Sequence, residues 1–136
     1  MTIGSISQSY PKPRELLSKI FPVARTDSST AKCVLPKDAI IAGVYVIQTV
    51  AASTAAATFS VGWSGSTTAV LNGFSMGTTS VGYAASGTAT GSGVATKLDS
   101  DKQIICTYTV GSSTAGGTGY VKIEYFVPGP GEAIDD

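Results

Sequence analysis

The chain has 136 residues, of which 13% are charged, and nine Lys and Arg residues balance nine Asp and Glu residues. A net charge of zero gives no strong electrostatic attraction to nucleic acid or to anionic membranes. The sequence contains no histidine, which excludes Ser-His and Cys-His nucleophiles and histidine-ligated metals. The length is that of one domain with a single core.

Charge is unevenly distributed along the chain. Residues 41–96 carry none, but they contain Val, Ile, Phe, Tyr and Trp, which argues against disorder. A strand-rich segment with outer faces of Ser, Thr, Ala and Gly fits this composition. Because the solubility of an isolated monomer usually relies on mixed surface charge, we expect much of the surface to meet a neighbouring subunit.

We expect neither a signal peptide nor a transmembrane segment. The N-terminus lacks the basic and apolar regions of a signal peptide, and no apolar run approaches the roughly 18–20 residues that cross a bilayer. The two cysteines, Cys33 and Cys106, lack metal-ligand spacing. We predict two free thiols, with Cys106 as a small buried hydrophobe in a strand. The alternative is a disulfide, which would contribute about 4 kcal/mol for so long a loop.

The first half of the chain contains the stretch that we expect to organise the fold. Residues 1–15 are predicted to form an N-terminal arm, which their prolines hold extended. Residues 16–21 fit a short helix or an edge strand, and we favour the strand, where Pro22 is tolerated. After a short strand at 32–35, the stretch 35–47 opens with a turn and continues as a β-branched run. It is predicted to be a central strand buried on both faces.

Alternating apolar residues predict the strands of the second half. The clear candidates are 58–63, 102–110 and 120–127, and the weaker ones are 69–71, 81–83 and 94–98, with a flexible loop at 86–93. The glycine-rich segment 111–117 is predicted to join the last two strands as a hairpin. Residues 128–136 are predicted to be a flexible acidic tail.

These elements predict an all-β fold, a jelly-roll-like antiparallel β-sandwich formed by residues 16–127, with the N-terminal arm and the C-terminal tail outside it. Few Lys or Glu residues protect its strand edges. We therefore hypothesise that a neighbouring subunit covers them. A protein that stays monomeric at high concentration would count against this hypothesis.

Acidic residues offer one set of candidate site residues. Asp99 and Asp101 lie on either side of Ser100, just before a predicted strand. Such a pair could bind Ca²⁺ or, together with Glu124, serve a glycosidase. We favour a polar turn, in which Asp is common. The glycine-rich segment 87–93 matches neither the P-loop nor the dinucleotide fingerprint and is predicted to be a surface loop.

Aromatic and basic residues offer the remaining candidates. An aromatic sugar-stacking platform could be built from Trp63, Tyr83, Tyr108 and Tyr125, although aromatics in alternating strands are more often core residues. Four basic residues near the N-terminus are too widely spaced to predict nucleic-acid binding, and solvation or docking to a partner is favoured. These four are Lys12, Arg14, Lys19 and Arg25.

Several segments resemble a known family. Residues 35–46 (LPKDAIIAGVYV) are similar to the LP-x-G-A-x-I-x-x-V-x-V opening of small virion proteins of tailed bacteriophages, and residues 59–65 (FSVGWSG) to their SVG-x-SG step. The closing hairpin of the family is resembled by residues 98–104, 114–116 and 121–125. The likeness covers residues 33–127. Asp38, where the family usually has Gly, and the long N-terminal arm depart from the pattern.

The resemblance implies a non-enzymatic structural protein of the virion, of the head decoration (cement) type, made in the host cytoplasm and located on the capsid surface. It implies the major capsid protein and further copies of the chain as partners, with no cofactor, metal, nucleic acid or membrane. No functional residues carry over, because the motif is a folding motif. The alternatives are a carbohydrate-binding module or a fibre or neck component, a small glycosidase, and a major capsid protein of jelly-roll type.

Overall fold

The computed structural model describes residues 16–54, 56–76, 82–85 and 96–128. These residues form eight β-strands: β1 (Leu17–Val23), β2 (Thr30–Leu35), β3 (Ile40–Val50), β4 (Thr58–Trp63), β5 (Ser66–Ser75), β6 (Gly82–Ala85), β7 (Lys102–Thr109) and β8 (Thr118–Phe126). Among them there is no helix of the length and apolar character needed to cross a membrane. The all-β prediction is confirmed.

The strands form two four-stranded antiparallel sheets that pack as a sandwich. The first sheet has the strand order β1-β8-β3-β6, and the second has the order β2-β7-β4-β5. Each strand of the first half of the chain therefore pairs with a strand of the second half in nested order: β1 with β8, β2 with β7, β3 with β6 and β4 with β5. The edge strands are β1 and β6 in the first sheet and β2 and β5 in the second.

A single apolar core lies between the sheets. Alternate side chains of each strand point inward, and each large apolar side chain buried in this way contributes roughly 1.5–3 kcal/mol. The alternation therefore decides which face of each sheet turns towards the other. The largest fully buried side chains are Leu35, Ile41, Val44, Val46, Phe59, Val61, Val70, Leu71, Met76, Ile104, Val121 and Ile123.

The central strand β3 differs from its prediction in one respect. It pairs with both β8 and β6, as a central strand should, but it is not buried on both faces. Val44 and Val46 are buried, whereas Tyr45 and Ile47 on the opposite face are half-buried and Ala42 is exposed. Among the described residues no further layer covers this face, and an unbroken apolar run does not by itself reveal that the second layer is missing.

The prediction that residues 111–117 join the last two strands as a hairpin is wrong. β7 belongs to the second sheet and β8 to the first, so the segment crosses from one sheet to the other. Each strand carries an alternating apolar face, and these faces meet across the core because the strands lie in opposite layers. The same alternation is found in a hairpin within one sheet, so sequence pattern does not distinguish the two connections.

Residues 16–21 contribute to a strand rather than a helix, as we favoured. β1 is an edge strand that pairs with β8 along one side, and its Pro22 lies opposite Tyr120. An edge position suits proline, because its missing N–H leaves fewer ladder hydrogen bonds unmade there. Phe21 and Val23 are buried, while Ile20 and Pro22 point to solvent.

Of the weakly predicted strand at 94–98, the structure describes residues 96–98, and these do not belong to any of the eight strands. Lys97 forms an isolated antiparallel bridge with Ile40, and Leu98 is buried and exchanges backbone hydrogen bonds with Asp38 and Ala39. The predicted N-terminal arm at 1–15, the loop at 86–93 and residues 129–136 of the predicted tail lie outside the described residues.

Candidate functional site

The two acidic candidates before β7 are held by different partners. Asp99 forms an ion pair with Lys102 at 3.2 Å, and the hydrogen bond from this ammonium group is the main cause that lowers the pKa of the Asp99 carboxyl. Asp101 accepts a hydrogen bond of 2.8 Å from the backbone N–H of Lys37. Both side chains are exposed. They therefore lie in an exposed polar segment just before β7.

The third acidic candidate, Glu124, does not join this pair. It lies on β8 in the first sheet and forms an ion pair with Lys122 at 3.1 Å, whereas Asp99 and Asp101 precede β7 in the second sheet. Within the described part of the chain, no group of three or more acidic or cysteine side chains is placed to hold a metal ion. The acidic residues that a glycosidase would need are thus not brought together.

Two shallow hollows, of about 270 and 220 Å³, meet at Trp63 and Lys102. The Lys102 ammonium nitrogen lies 5.5 Å from the centroid of the Trp63 ring, within the range of a cation–π contact. Trp63 is half-buried and packs against the core. The lining offers a cation, an indole and exposed polar groups, which can hold a small polar group but do not provide a nucleophile paired with a base.

The aromatic candidates whose side chains are described, Trp63, Tyr108 and Tyr125, do not form an exposed platform. Tyr108 and Tyr125 are buried core residues. The Tyr108 hydroxyl donates a hydrogen bond of 2.9 Å to the carbonyl oxygen of Gly117, and its ring stacks on Phe59 with a centroid separation of 6.5 Å. The backbone of Tyr83 pairs with Ile47 in the first sheet, but its side chain lies outside the described set. The core interpretation therefore holds for Tyr108 and Tyr125.

Of the four basic candidates, Arg25 has a clear structural role. Its guanidinium donates hydrogen bonds to the carbonyl oxygen of Ser113 at 2.9 Å and to that of Gly116 at 3.4 Å. These bonds tie the β1–β2 loop to the segment between β7 and β8. Lys19 is half-buried on β1, and Lys12 and Arg14 lie outside the described residues. Arg25 is therefore committed to the fold rather than free to bind a partner.

The structure contains a buried ion pair that the sequence pattern does not predict. Lys32 and Asp27 form a 3.0 Å ion pair with side chains only 10% and 6% exposed. Asp27 also accepts a hydrogen bond of 2.9 Å from the backbone N–H of Ala24. Lys32 sits at a β-bulge, where the pairing of β2 with β7 shifts between Ala31 and Cys33. Because a bulge changes the direction of the following side chains, strand alternation alone does not predict this burial.

Both cysteines are free thiols, with Cys33 half-buried and Cys106 buried. Burial, with a smaller contribution from the nearby Asp27 carboxylate, raises the pKa of the Cys106 thiol to about 12. Burial also raises the pKa of Cys33. Because the thiolate is the nucleophile, neither thiol is activated for chemistry near neutral pH.

The two outer faces of the sandwich differ in chemical character. Along β4 and β7, the outer face of the second sheet presents small and hydroxylated side chains such as Thr58, Ser60, Thr107 and Thr109, while Val34 is exposed on the edge strand β2. The first-sheet outer face, formed by β1, β8 and β3, presents larger apolar groups, including Ile20 at 60% exposure and Tyr120 at 44%.

Comparison with known proteins supplies a fold relationship. No family model and no curated protein matches the chain. Among solved structures, the chain is similar to one described as "Cyanophage Pam1 capsid asymmetric unit", with 22% sequence identity and a TM-score of 0.61. The similarity covers 88% of this chain and 90% of the other. At this level of identity, the likeness shows that the two chains share a fold.

Proposed function

We propose that the protein is a structural component of a tailed-bacteriophage virion, of the head decoration (cement) type. The observation that carries the proposal is the shared fold with a chain of a cyanophage capsid asymmetric unit, which extends over 90% of that chain. The family resemblance of residues 33–127 supports the same role, because it was found in the sequence independently of the structure. The nested strand pairing supports a jelly-roll topology for the sandwich.

The proposed mechanism is mechanical rather than catalytic. A rigid sandwich that binds across neighbouring capsomers stabilises the assembled lattice by mass action, because it binds the assembled state and not the separated subunits. Its partners are the major capsid protein and further copies of the chain, and its place is the capsid surface after synthesis in the host cytoplasm. The N-terminal arm and the acidic tail extend the contacts to neighbouring subunits.

The carbohydrate-binding alternative has weaker support from the geometry. It requires an open aromatic face for a sugar ring, but the ammonium group of Lys102 lies against the Trp63 ring. Two other members of the aromatic set, Tyr108 and Tyr125, are buried. Glycan-array binding that disappears in Trp63→Ala, with the fold retained, would reverse this preference.

Quantitative peptide mass spectrometry of purified particles tests the proposed function. A copy number close to that of the major shell protein supports decoration of the lattice. A much lower number, matching vertices, neck or fibres, contradicts decoration but retains the virion role. Absence from the particles overturns the proposal altogether.

A further inference from the structure

The first-sheet outer face has an ordered arrangement of side chains across β1, β8 and β3. Ile20, Lys122 and Tyr45 occupy one row, because Lys122 pairs with Ile20 on one side and with Tyr45 on the other. The next row towards the N-terminus of β8 contains Pro22, Tyr120 and Ile47. These two rows make one half of the face strongly apolar, with Lys122 as its charged residue.

The other half of the face contains the matching acid. Glu124 occupies the row beyond Lys122, between Ser18 of β1 and Gly43 of β3. The ring of Tyr45 lies over Gly43, since an added Cβ there would be 2.9 Å from the Tyr45 hydroxyl oxygen. The last row again contains apolar residues, with Phe126 opposite Ile40. Across β1, β8 and β3 the face is therefore apolar at both ends, with Lys122 and Glu124 at its centre.

This arrangement is complementary to itself. Lys122 and Glu124 lie on either side of Ile123, and the face has no net charge from these two residues. Two copies can be related by a two-fold axis that lies in the plane of the interface, passes over Ile123 and runs perpendicular to β8. This axis places the Lys122 ammonium group of each copy against the Glu124 carboxylate of the other. The same operation sets the row of Tyr120 against the row of Phe126, so that apolar rows meet apolar rows.

We propose that the first-sheet outer face binds the same face of a second copy of this chain, forming a two-fold symmetric dimer of stacked sheets. A two-fold interface requires one patch to be complementary to itself, and the central ion pair and flanking apolar rows meet this requirement. Stacked sheets pack with strand directions within about 30° of each other, which keeps the facing rows in approximate register. Lys122 and Glu124, 34% and 19% exposed in the single chain, then become shared between subunits.

Complementary charge variants test the proposal. Lys122→Glu and Glu124→Lys each place like charges across the interface twice, so each variant alone should dimerise at least about tenfold more weakly than the natural protein. An equal mixture of the two variants should dimerise again, because one carries two acids and the other two bases at these positions. Sedimentation velocity at a series of concentrations measures all four samples.

The mixing experiment separates contacts between chains from the ion pair within a chain. In each single variant the internal pair is repulsive, and mixing cannot repair it, so recovery in the mixture can arise only across an interface. Circular dichroism of each variant checks that the fold is retained. A natural protein that remains monomeric, a trimer, unchanged association of the single variants, or a monomeric mixture would each overturn the proposal.

A second pair of variants tests the apolar rows. Ile20→Asp places a charge on an exposed residue of the first-sheet outer face and should reduce dimerisation at least about tenfold. Val34→Asp is the matched control, because Val34 is also an exposed apolar residue on an edge strand, 49% accessible, but belongs to β2 of the second sheet. Equal loss of association in both variants would contradict the assignment of the face.

The dimer inference goes beyond the proposed virion role and does not depend on it. It rests on the arrangement of the first-sheet outer face and is tested with the purified protein in solution. The virion role is tested by the copy number on particles. The experiments can therefore contradict the dimer while supporting the virion role, or contradict the virion role while supporting the dimer.

Discussion

At the scale of single residues, Lys32 is a charged side chain that is almost completely buried. Its ammonium group lies in a largely buried environment and is neutralised by Asp27 at 3.0 Å. Removing one member of such a pair leaves the other charge buried without compensation, which is far more harmful than losing an exposed pair. The conformation of the loop before β2 therefore depends on a buried charge, although the polar sequence of this loop is typical of an exposed segment.

Replacement of Lys32 tests this dependence. We expect Lys32→Met to lower the free energy of unfolding by about 3–5 kcal/mol, measured by denaturant titration. The matched control is Lys97→Met, because Lys97 pairs with Asp38 at 3.6 Å in a largely exposed setting, and its loss should amount to about 0–1 kcal/mol. Similar losses in the two variants would show that the Asp27–Lys32 pair is not effectively buried.

The Cys106 thiol predicts a dependence of stability on alkaline pH. The ordinary thiol pKa of 9.0 applies in the unfolded chain, whereas burial raises the pKa of Cys106 in the folded protein to about 12. Between these values the unfolded state binds fewer protons, so the free energy of unfolding falls as pH rises. The contribution is fully present below pH 9.0 and is lost by about pH 12.

In Cys106→Ala the free energy of unfolding should therefore fall less steeply with pH above 9.0, the ordinary thiol pKa. The slope should decrease by the amount that corresponds to about one proton. Stability near neutral pH should also fall, because the substitution leaves a cavity. Urea titrations at several alkaline pH values measure the slope. Cys33→Ala is the comparison, since Cys33 is only half-buried and should flatten the profile less. An unchanged slope in Cys106→Ala would contradict the raised pKa.

At the scale of elements, the connection between β7 and β8 is one of those that cross from one sheet to the other. The segment passes close to the β3–β4 connection, where the backbone N–H groups of Ser53 and Gly117 donate to the carbonyl oxygens of Ala115 and Val50, respectively. Gly117 has a φ of +78°, and a Cβ at this position would collide with the Tyr108 hydroxyl. The crossing therefore requires glycine for both backbone conformation and space.

Substitution of two glycines separates these requirements. Gly117→Ala should destabilise the protein by about 2–4 kcal/mol, because conformational strain and the collision with Tyr108 add together. Gly65→Ala is the matched control, since Gly65 also has a positive φ, +87°, but an added Cβ meets nothing within 4 Å. Its loss should be about 1–2 kcal/mol. Thermal and denaturant unfolding compare the variants, and equal losses would show that Tyr108 moves aside.

At the scale of the whole molecule, the sandwich is closed by strands distant in sequence. β1 and β8 pair along their lengths, from Leu17 with Tyr125 to Val23 with Gly119, so the two ends of the described chain are tied together. The other six described strands all lie between β1 and β8 in the sequence. Residues 16–127 remain our predicted domain, and residues 1–15 remain a predicted arm.

Deletion of residues 1–15 tests this division. We expect the shortened protein to fold with an unchanged melting temperature, because among residues 16–128 that the structure describes the buried core begins at Phe21. We expect it to bind phage heads more weakly if the arm contacts neighbouring subunits. Circular dichroism and co-sedimentation with heads measure the two effects. A shortened protein that fails to fold would show that the arm is part of the sandwich.

Local sequence was sufficient for most of the elements. The alternation in Thr58–Trp63 and in the last two strands predicted β4, β7 and β8 closely, because burial on one side of a strand leaves a period of two in the sequence. The core positions of Tyr108 and Tyr125 were also predicted correctly. In each case the environment of the residue depends mainly on its own strand or turn.

The sequence by itself determined an all-β sandwich, its approximate strands and the inward faces of β4, β7 and β8, because alternation is a local property. Only the tertiary structure decided that 111–117 crosses between the sheets, that Lys32 turns inward at a bulge, and that Ile20, Lys122 and Tyr120 share one outer face. These features depend on which distant strands pair and in which register. Alternation is the same whichever partner a strand has, so the pairing emerges only when the whole core is assembled.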